Sequence, residues 1–308
     1  GHELWRWTFP VNQLNQQTEQ LSPLSSRPAY TETENELTVK ANKRTFIFSK
    51  KDGQLKGVSV DNRKISFANG PRFIGARRAD RSLDQFYNHD DEKAKEKDRT
   101  YSEFPDAAVF TKLDVKEDGG NLVVTANYKL GNLDKTQWTI NPSGELALDY
   151  TYNFSGVVDL MGIRFDYPED QVISKRWLGA GPYRVWQNRI HGTQYDVWEN
   201  DYNDPISGET FTYPEFKGYF GDVSWMNIQT KEGTISLTNE TPDAYIGVYQ
   251  PRDGRDRLLY TLPESGISVL NVIPPVRNKV NSTDLCGPSS QPKWVNGPQT
   301  GRVIFRFM

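Results

Sequence analysis

The side chains best suited to gripping a polar ligand are concentrated in one stretch, Trp177 to Trp198 (WLGAGPYRVWQNRIHGTQYDVW). Tyr183, Trp186 and Trp198 offer flat faces on which a sugar ring can stack. Arg184 and Arg189 offer planar forks for hydroxyls or anions, and His191 adds ring nitrogens able to donate or accept. That combination points to carbohydrate binding. Gly179, Gly181 and Pro182 interrupt any regular element, because Gly permits positive φ while Pro fixes φ and removes a donor. The stretch therefore reads as a held loop, the kind of segment that carries function. A second reading stays open, in which it is a sandwich corner whose aromatics cap the core.

Metal and nucleophile chemistry finds less support. The three histidines (His2, His89, His191) and the single Cys286 are scattered and fit no zinc spacing. Asn88–Asp91 and Glu199–Asp204 hold oxygen ligands that Ca²⁺ accepts, but without EF-hand spacing they read as solvated loops. Gly179-Ala180-Gly181 runs into Pro182 rather than opening a helix, so it is no dinucleotide or phosphate cradle. No Gly-x-Ser-x-Gly elbow and no Cys–His pairing nominates a nucleophile. The expectation is a chain with no cofactor, no metal and no catalytic residue of its own.

The composition fixes the scaffold that must hold these residues. At 308 residues a substantial core is possible, yet only 36% of the chain is hydrophobic, so an aromatic fraction of 12% must supply much of the buried area. Many Tyr, Thr and Val, with 24 Gly and 18 Pro, favour an all-β chain with frequent turns. A net charge of −3 argues against a nucleic-acid partner, and no apolar run is long enough for a membrane-spanning helix.

Taken in order, residues 2–11 alternate Trp5, Trp7 and Phe9 against Leu4, Arg6 and Thr8, which reads as a strand. Residues 11–35, rich in Gln, Asn, Ser and Pro, read as a linker, and residues 36–308 as one domain. Within it LTVKA, RTFIFS, QLKGVSV and KISFA are strand-like, divided by turns at Lys51-Asp52-Gly53 and Asp61-Asn62. PRFIGARRADRSLDQF departs from alternation, and Asn88–Arg99 is a charge-dense solvated segment. The cleanest alternation is ELALDYTYNF, where Leu146, Leu148, Tyr150, Tyr152 and Phe154 share one face. Trp294 is expected to seed the last strand as a core residue. Strands continue to the C-terminus with no intervening helices, which predicts a large antiparallel two-sheet sandwich.

WLGAGPYRVWQNR resembles the W-x-G-x-GP-x-E-N-Y-x-D-R segment in the C-terminal domain of beta-galactosidases of glycoside hydrolase family 2. YPEFKGYFGDVSWMN (Tyr213–Asn227) resembles that domain's later segment through Pro214, Glu215, Gly218, Asp222, Val223 and Trp225. The resemblance implies the supersandwich shared with galactose mutarotases. It also implies that residues 1–10 close a preceding domain, that the partners are carbohydrate and the parent's N-terminal domains, and that the catalytic carboxylates belong to a barrel. Such a pair sits about 5–5.5 Å apart in a retaining glycosidase, and a (β/α)₈ barrel needs about 250 residues of alternating strand and helix; this chain has no such region.

Arg184, Val185 and Trp186 stand where the family has Glu-Asn-Tyr, and Cys286 stands where it has an active-site Trp. A further wall segment of the family falls on Gly75–Arg81, where Arg77 and Arg78 with Arg81 offer forks for a carboxylate or sulfate. The alternative is an exposed loop that balances the acidic stretch at 84–98. The mutarotase likeness invites a pairing of His191 with Glu199 or Glu215 as acid and base, but a turn histidine beside Gly192 is the simpler reading. The expectation is an accessory domain, with a carbohydrate-binding module and an independent aldose 1-epimerase as alternatives.

Overall fold

The computed structural model describes residues 26–78, 101–202, 217–251, 262–275 and 288–308. The expected strand at 2–11, the charged segment 88–99, and Pro214, Glu215 and Cys286 lie outside them. Nineteen strands are described, in two antiparallel sheets of ten and nine. The expected all-β supersandwich is the observed fold.

Two-residue turns set the register as the sequence suggests. Asp61 (φ 49) and Asn62 (φ 64) link β4 (Leu55–Val60) to β5 (Arg63–Ile65), and Gly119-Gly120 (φ 57 and 89) link β8 (Val109–Asp118) to β9 (Asn121–Lys129). Positive φ at both positions gives the twist a tight hairpin needs.

The core forms where the inner faces meet. On β11 (Leu146–Val158), Leu146, Leu148, Tyr150 and Tyr152 are buried against the other sheet. Phe46, Phe48, Phe67, Trp138 and Phe165 join Phe305 and Phe307 in the same cluster, with ring centroids 4.6 to 6.3 Å apart among their contacts. Tilted, stacked and edge-to-face ring contacts of this kind add to the area term, so aromatics supply what the low aliphatic content does not.

Three sequence expectations change. Ala29–Glu32, inside the stretch read as linker, is β1 and pairs with β2 (Glu36–Ala41); it is an exposed edge strand, so it lacks the buried alternation that marks strands in sequence. Residues 68–78 form the eleven-residue strand β6 (Ala68–Arg78). Phe73 enters the main core while Ile74 and Ala76 enter a second cluster on the opposite face, and a strand buried on both faces shows no alternation. Trp294 lies on the last strand, β19 (Lys293–Phe307), but is 71% exposed.

Candidate functional site

The Trp177–Trp198 stretch is a hairpin with a long connection rather than a loop throughout. Its ends belong to β13 (Val172–Gly181) and β14 (Gln194–Asp201), and Trp177 pairs directly with Trp198. Trp177 is fully buried, with its Nε1 donating to Ala180 O at 3.0 Å. Trp198 is half-buried: its Nε1 donates to Gln194 O, and its indole lies where a Cβ on Gly181 would collide with it. Gly181 is thus required by the close approach of that ring.

The connection at 182–193 is tied down by hydrogen bonds to three other parts of the chain. Val185 and Tyr219 exchange both N–H···O bonds, at 2.7 and 2.8 Å. Gln187 N donates to Pro274 O at 3.1 Å, and its side-chain Nε2 donates to Gln291 O at 2.8 Å. Trp186 and Arg189 form a bridge that reverses the chain, which leaves Arg189, Ile190 and His191 exposed at the tip. Tyr183 Oη donates to His191 O at 3.4 Å, and a Cβ on Gly192 (φ 92) would lie 2.6 Å from Tyr183 Oη.

Arg184 and Trp186 are corrected from rim to core, each 1% exposed. Trp186 meets Tyr219 edge-on at 5.8 Å, and both belong to the second cluster with Tyr101, Val185 and Ile74. The Arg184 guanidinium lies 5.1 Å from the centre of the Tyr249 ring and 5.9 Å from that of Phe220. Burial lowers its pKa to about 10, against opposing effects of Tyr249, Glu169, Tyr202 and Tyr219. Lys175, equally buried, has its Nζ 5.1 Å over the Tyr249 ring and donates to Asp201 O at 2.6 Å. Two cations thus share one aromatic ring, an arrangement that offsets part of their desolvation.

The arginine segment converges on the same place. Arg78 is buried with its guanidinium 5.8 Å over Tyr101, and its backbone N donates to Asp159 Oδ2 at 2.8 Å. Arg77 is half-buried, opposite Ser102 across the pairing of β6 with β7 (Tyr101–Glu103). Tyr101 bridges this strand end to Tyr219 within the second cluster. Two segments a hundred residues apart in sequence are therefore welded through Tyr101, Tyr219 and Trp186.

The neighbouring carboxylate Glu169 is engaged in hydrogen bonds: it accepts from Tyr202 Oη at 2.7 Å and from Gln250 N at 2.8 Å. One feature escaped the sequence reading. Burial raises the Asp222 carboxyl, with Asp243 adding repulsion, and the same two charges raise the burial-shifted Tyr245 phenol beside the second cluster. Asp222 (φ 49) and Asp243 (φ 54) both occupy left-handed turn positions that Asp tolerates, the one local signal available. Among the described residues no group of three or more His, Cys, Asp or Glu is placed to hold a metal, and no helix is long and apolar enough to cross a membrane.

The family model for the beta galactosidase small chain matches residues 40–275. The chain belongs to this beta-galactosidase small chain family. The match spans β6, the β13–β14 hairpin and the Tyr219 segment, so the welded cluster lies wholly within the family region. No curated protein matches the chain. Solved structures with similar folds include galactose 1-epimerase from Lactobacillus acidophilus NCFM (9% identity, 92% of this chain and 99% of that one, TM-score 0.46). A putative aldose 1-epimerase from Escherichia coli K12 gives 12% identity over 91% and 99%, TM-score 0.37. An amine oxidase from Aspergillus nidulans gives 9% identity over 100% and 56%, TM-score 0.34. At such identities and scores these likenesses carry no argument about activity.

Proposed function

We propose that this chain is an accessory β-domain of a beta-galactosidase-related glycoside hydrolase of family 2, one that stabilises the enzyme and shapes access to a carbohydrate cleft. Its partners are the catalytic and other N-terminal domains of that enzyme, together with the carbohydrate itself. The observation that carries this reading is the convergence, inside the family region, of the β6 end with the 182–193 connection on one buried aromatic cluster. Such a cluster holds a rim rigid, and a rim held rigid can wall a cleft that another domain supplies. Tyr183, Arg189, His191, Trp198 and Arg77 are the partly or fully exposed members of that rim, while Arg184, Trp186 and Arg78 support it from beneath.

The test extends the chain through the upstream reading frame and assays the longer protein on nitrophenyl β-galactoside and on lactose. Arg189→Ala and His191→Ala, both at exposed positions, should raise KM severalfold with little change in thermal midpoint. Unchanged KM for both substrates would remove the cleft-shaping role.

A further inference from the structure

We propose that the outer face of β19 and β11 is a binding track for a neutral, extended oligosaccharide, with Trp294 as its stacking platform. Trp294 is 71% exposed, the most open aromatic side chain among the described residues. It stands on a long antiparallel ribbon in which β19 pairs with β11 one-to-one from Lys293↔Val158 to Phe305↔Leu146. Exposure alternates along β19: Trp294, Asn296, Pro298 and Thr300 are exposed, while Val295 packs on the core side. These four residues therefore share the outer face.

The same face leads into a groove of about 380 Å³ lined by Lys135, Gln137, Asp149, Thr151, Thr300 and Arg302 with Glu240 on its wall. Tyr150 floors it: Gly301 has no side chain, and a Cβ there would collide with the Tyr150 hydroxyl end. Trp294 to Thr300 spans six residues, roughly 20 Å of strand. Beyond Arg302 the track ends, because Ile304 is buried.

The chemistry along the track selects the ligand. Between platform and groove lie small polar groups, Asn296 Oδ1 with Ser155 Oγ at 2.8 Å and then Asn153 opposite Pro298. In the groove, Arg302 is held by Asp149 at 2.6 Å and by Glu240 at 3.0 Å, so its charge is compensated rather than offered to an anion. Hydroxyls and amides beside an exposed indole suit a ring polymer with an apolar face and many hydroxyls. The unbroken one-to-one pairing of β19 with β11 sets these groups out along one strand, which suits an extended chain over a coiled one. The track runs along β19 and β11 from a start three residues after Gln291, whose carbonyl accepts from Gln187 of the 182–193 connection, and it does not rest on the accessory-domain reading.

Calorimetric titration of the whole chain with cellotetraose, mannotetraose and xylotetraose tests the inference, with maltotetraose, galactose and trigalacturonate as contrasts. At least one extended tetraose should bind with Kd of about 1 mM or tighter. Trp294→Ala should weaken that binding by at least about tenfold with no change in thermal midpoint, a loss of the size expected of a stacked aromatic. Lys135→Ala, at the groove end, should weaken it about threefold, the size of one peripheral polar contact. Three results would each overturn the proposal. They are no binding by any extended tetraose, undiminished binding by Trp294→Ala, and equal or tighter binding of maltotetraose, galactose or trigalacturonate.

Discussion

The guanidinium of Arg184 lies 5.1 Å over the Tyr249 ring, in the middle of a family segment that sequence reasoning places at the surface. A charge taken out of water into such a position is held by faces and dipoles rather than by solvent. Arg184→Ala removes a side chain that packs against Tyr249 and Phe220 and opens a cavity between them. We expect a loss of about 2–4 kcal/mol, read as a lower urea midpoint at unchanged m-value. Arg184→Lys should recover only part of it, since an ammonium lacks the planar face that stacks. A midpoint for Arg184→Ala equal to wild type would show that the ring contact contributes nothing.

Glycine at 218 is a packing requirement. A Cβ there would collide with Val185 O, one of the two carbonyls that bind the 182–193 connection to Tyr219. Gly218→Ala should therefore cost about 2–4 kcal/mol, because backbone rather than a flexible side chain must move. Gly57→Ala is the control: nothing lies within 4 Å of its Cβ position, and its effect should stay within about 0.5 kcal/mol. Amide exchange at Val185 and Tyr219 should accelerate in the Gly218 variant alone.

Alkaline pH should unfold the protein from about pH 10 upward. Burial raises the phenols of Tyr128, Tyr152, Tyr167 and Tyr219 and pushes Tyr150 up to about 12. Unfolded tyrosines ionise near 10, so above that pH the unfolded chain binds fewer protons than the fold and stability falls as pH rises. Arg184 and Arg44, both lowered by burial, act in the opposite direction, since each sheds its proton first in the folded state. Two arginines against seven raised phenols, Tyr183 and Tyr245 among them, leave a net loss. The urea midpoint should be flat between about pH 7 and 9.5 and drop beyond, and Tyr150→Phe should make the drop shallower.

The sandwich was legible because its inner faces obey simple alternation: Leu146, Leu148, Tyr150 and Tyr152 announce β11 without help from tertiary context. β6 was hidden for the opposite reason, since covering both of its faces erases the period on which strand recognition depends. Within Trp177–Trp198, residue types left a binding loop and a core-capping corner both open, and burial decides for the second at Arg184 and Trp186. Arg and Trp are ordinarily read as partly exposed, yet Tyr219, Phe220 and Tyr249, supplied from elsewhere in the chain, bury Arg184 and Trp186. For Trp294 the error ran the other way. The strand around it is real, but the parity of β19 that sets which face it takes follows from pairing with β11, and that register is not visible locally.

On the reading proposed above, this chain shapes a carbohydrate site without cleaving glycosides itself. Incubating the purified chain alone with nitrophenyl β-galactoside and following nitrophenolate release tests it most directly. The account predicts a rate indistinguishable from buffer; turnover that Asp222→Asn abolishes while the thermal midpoint holds would contradict it.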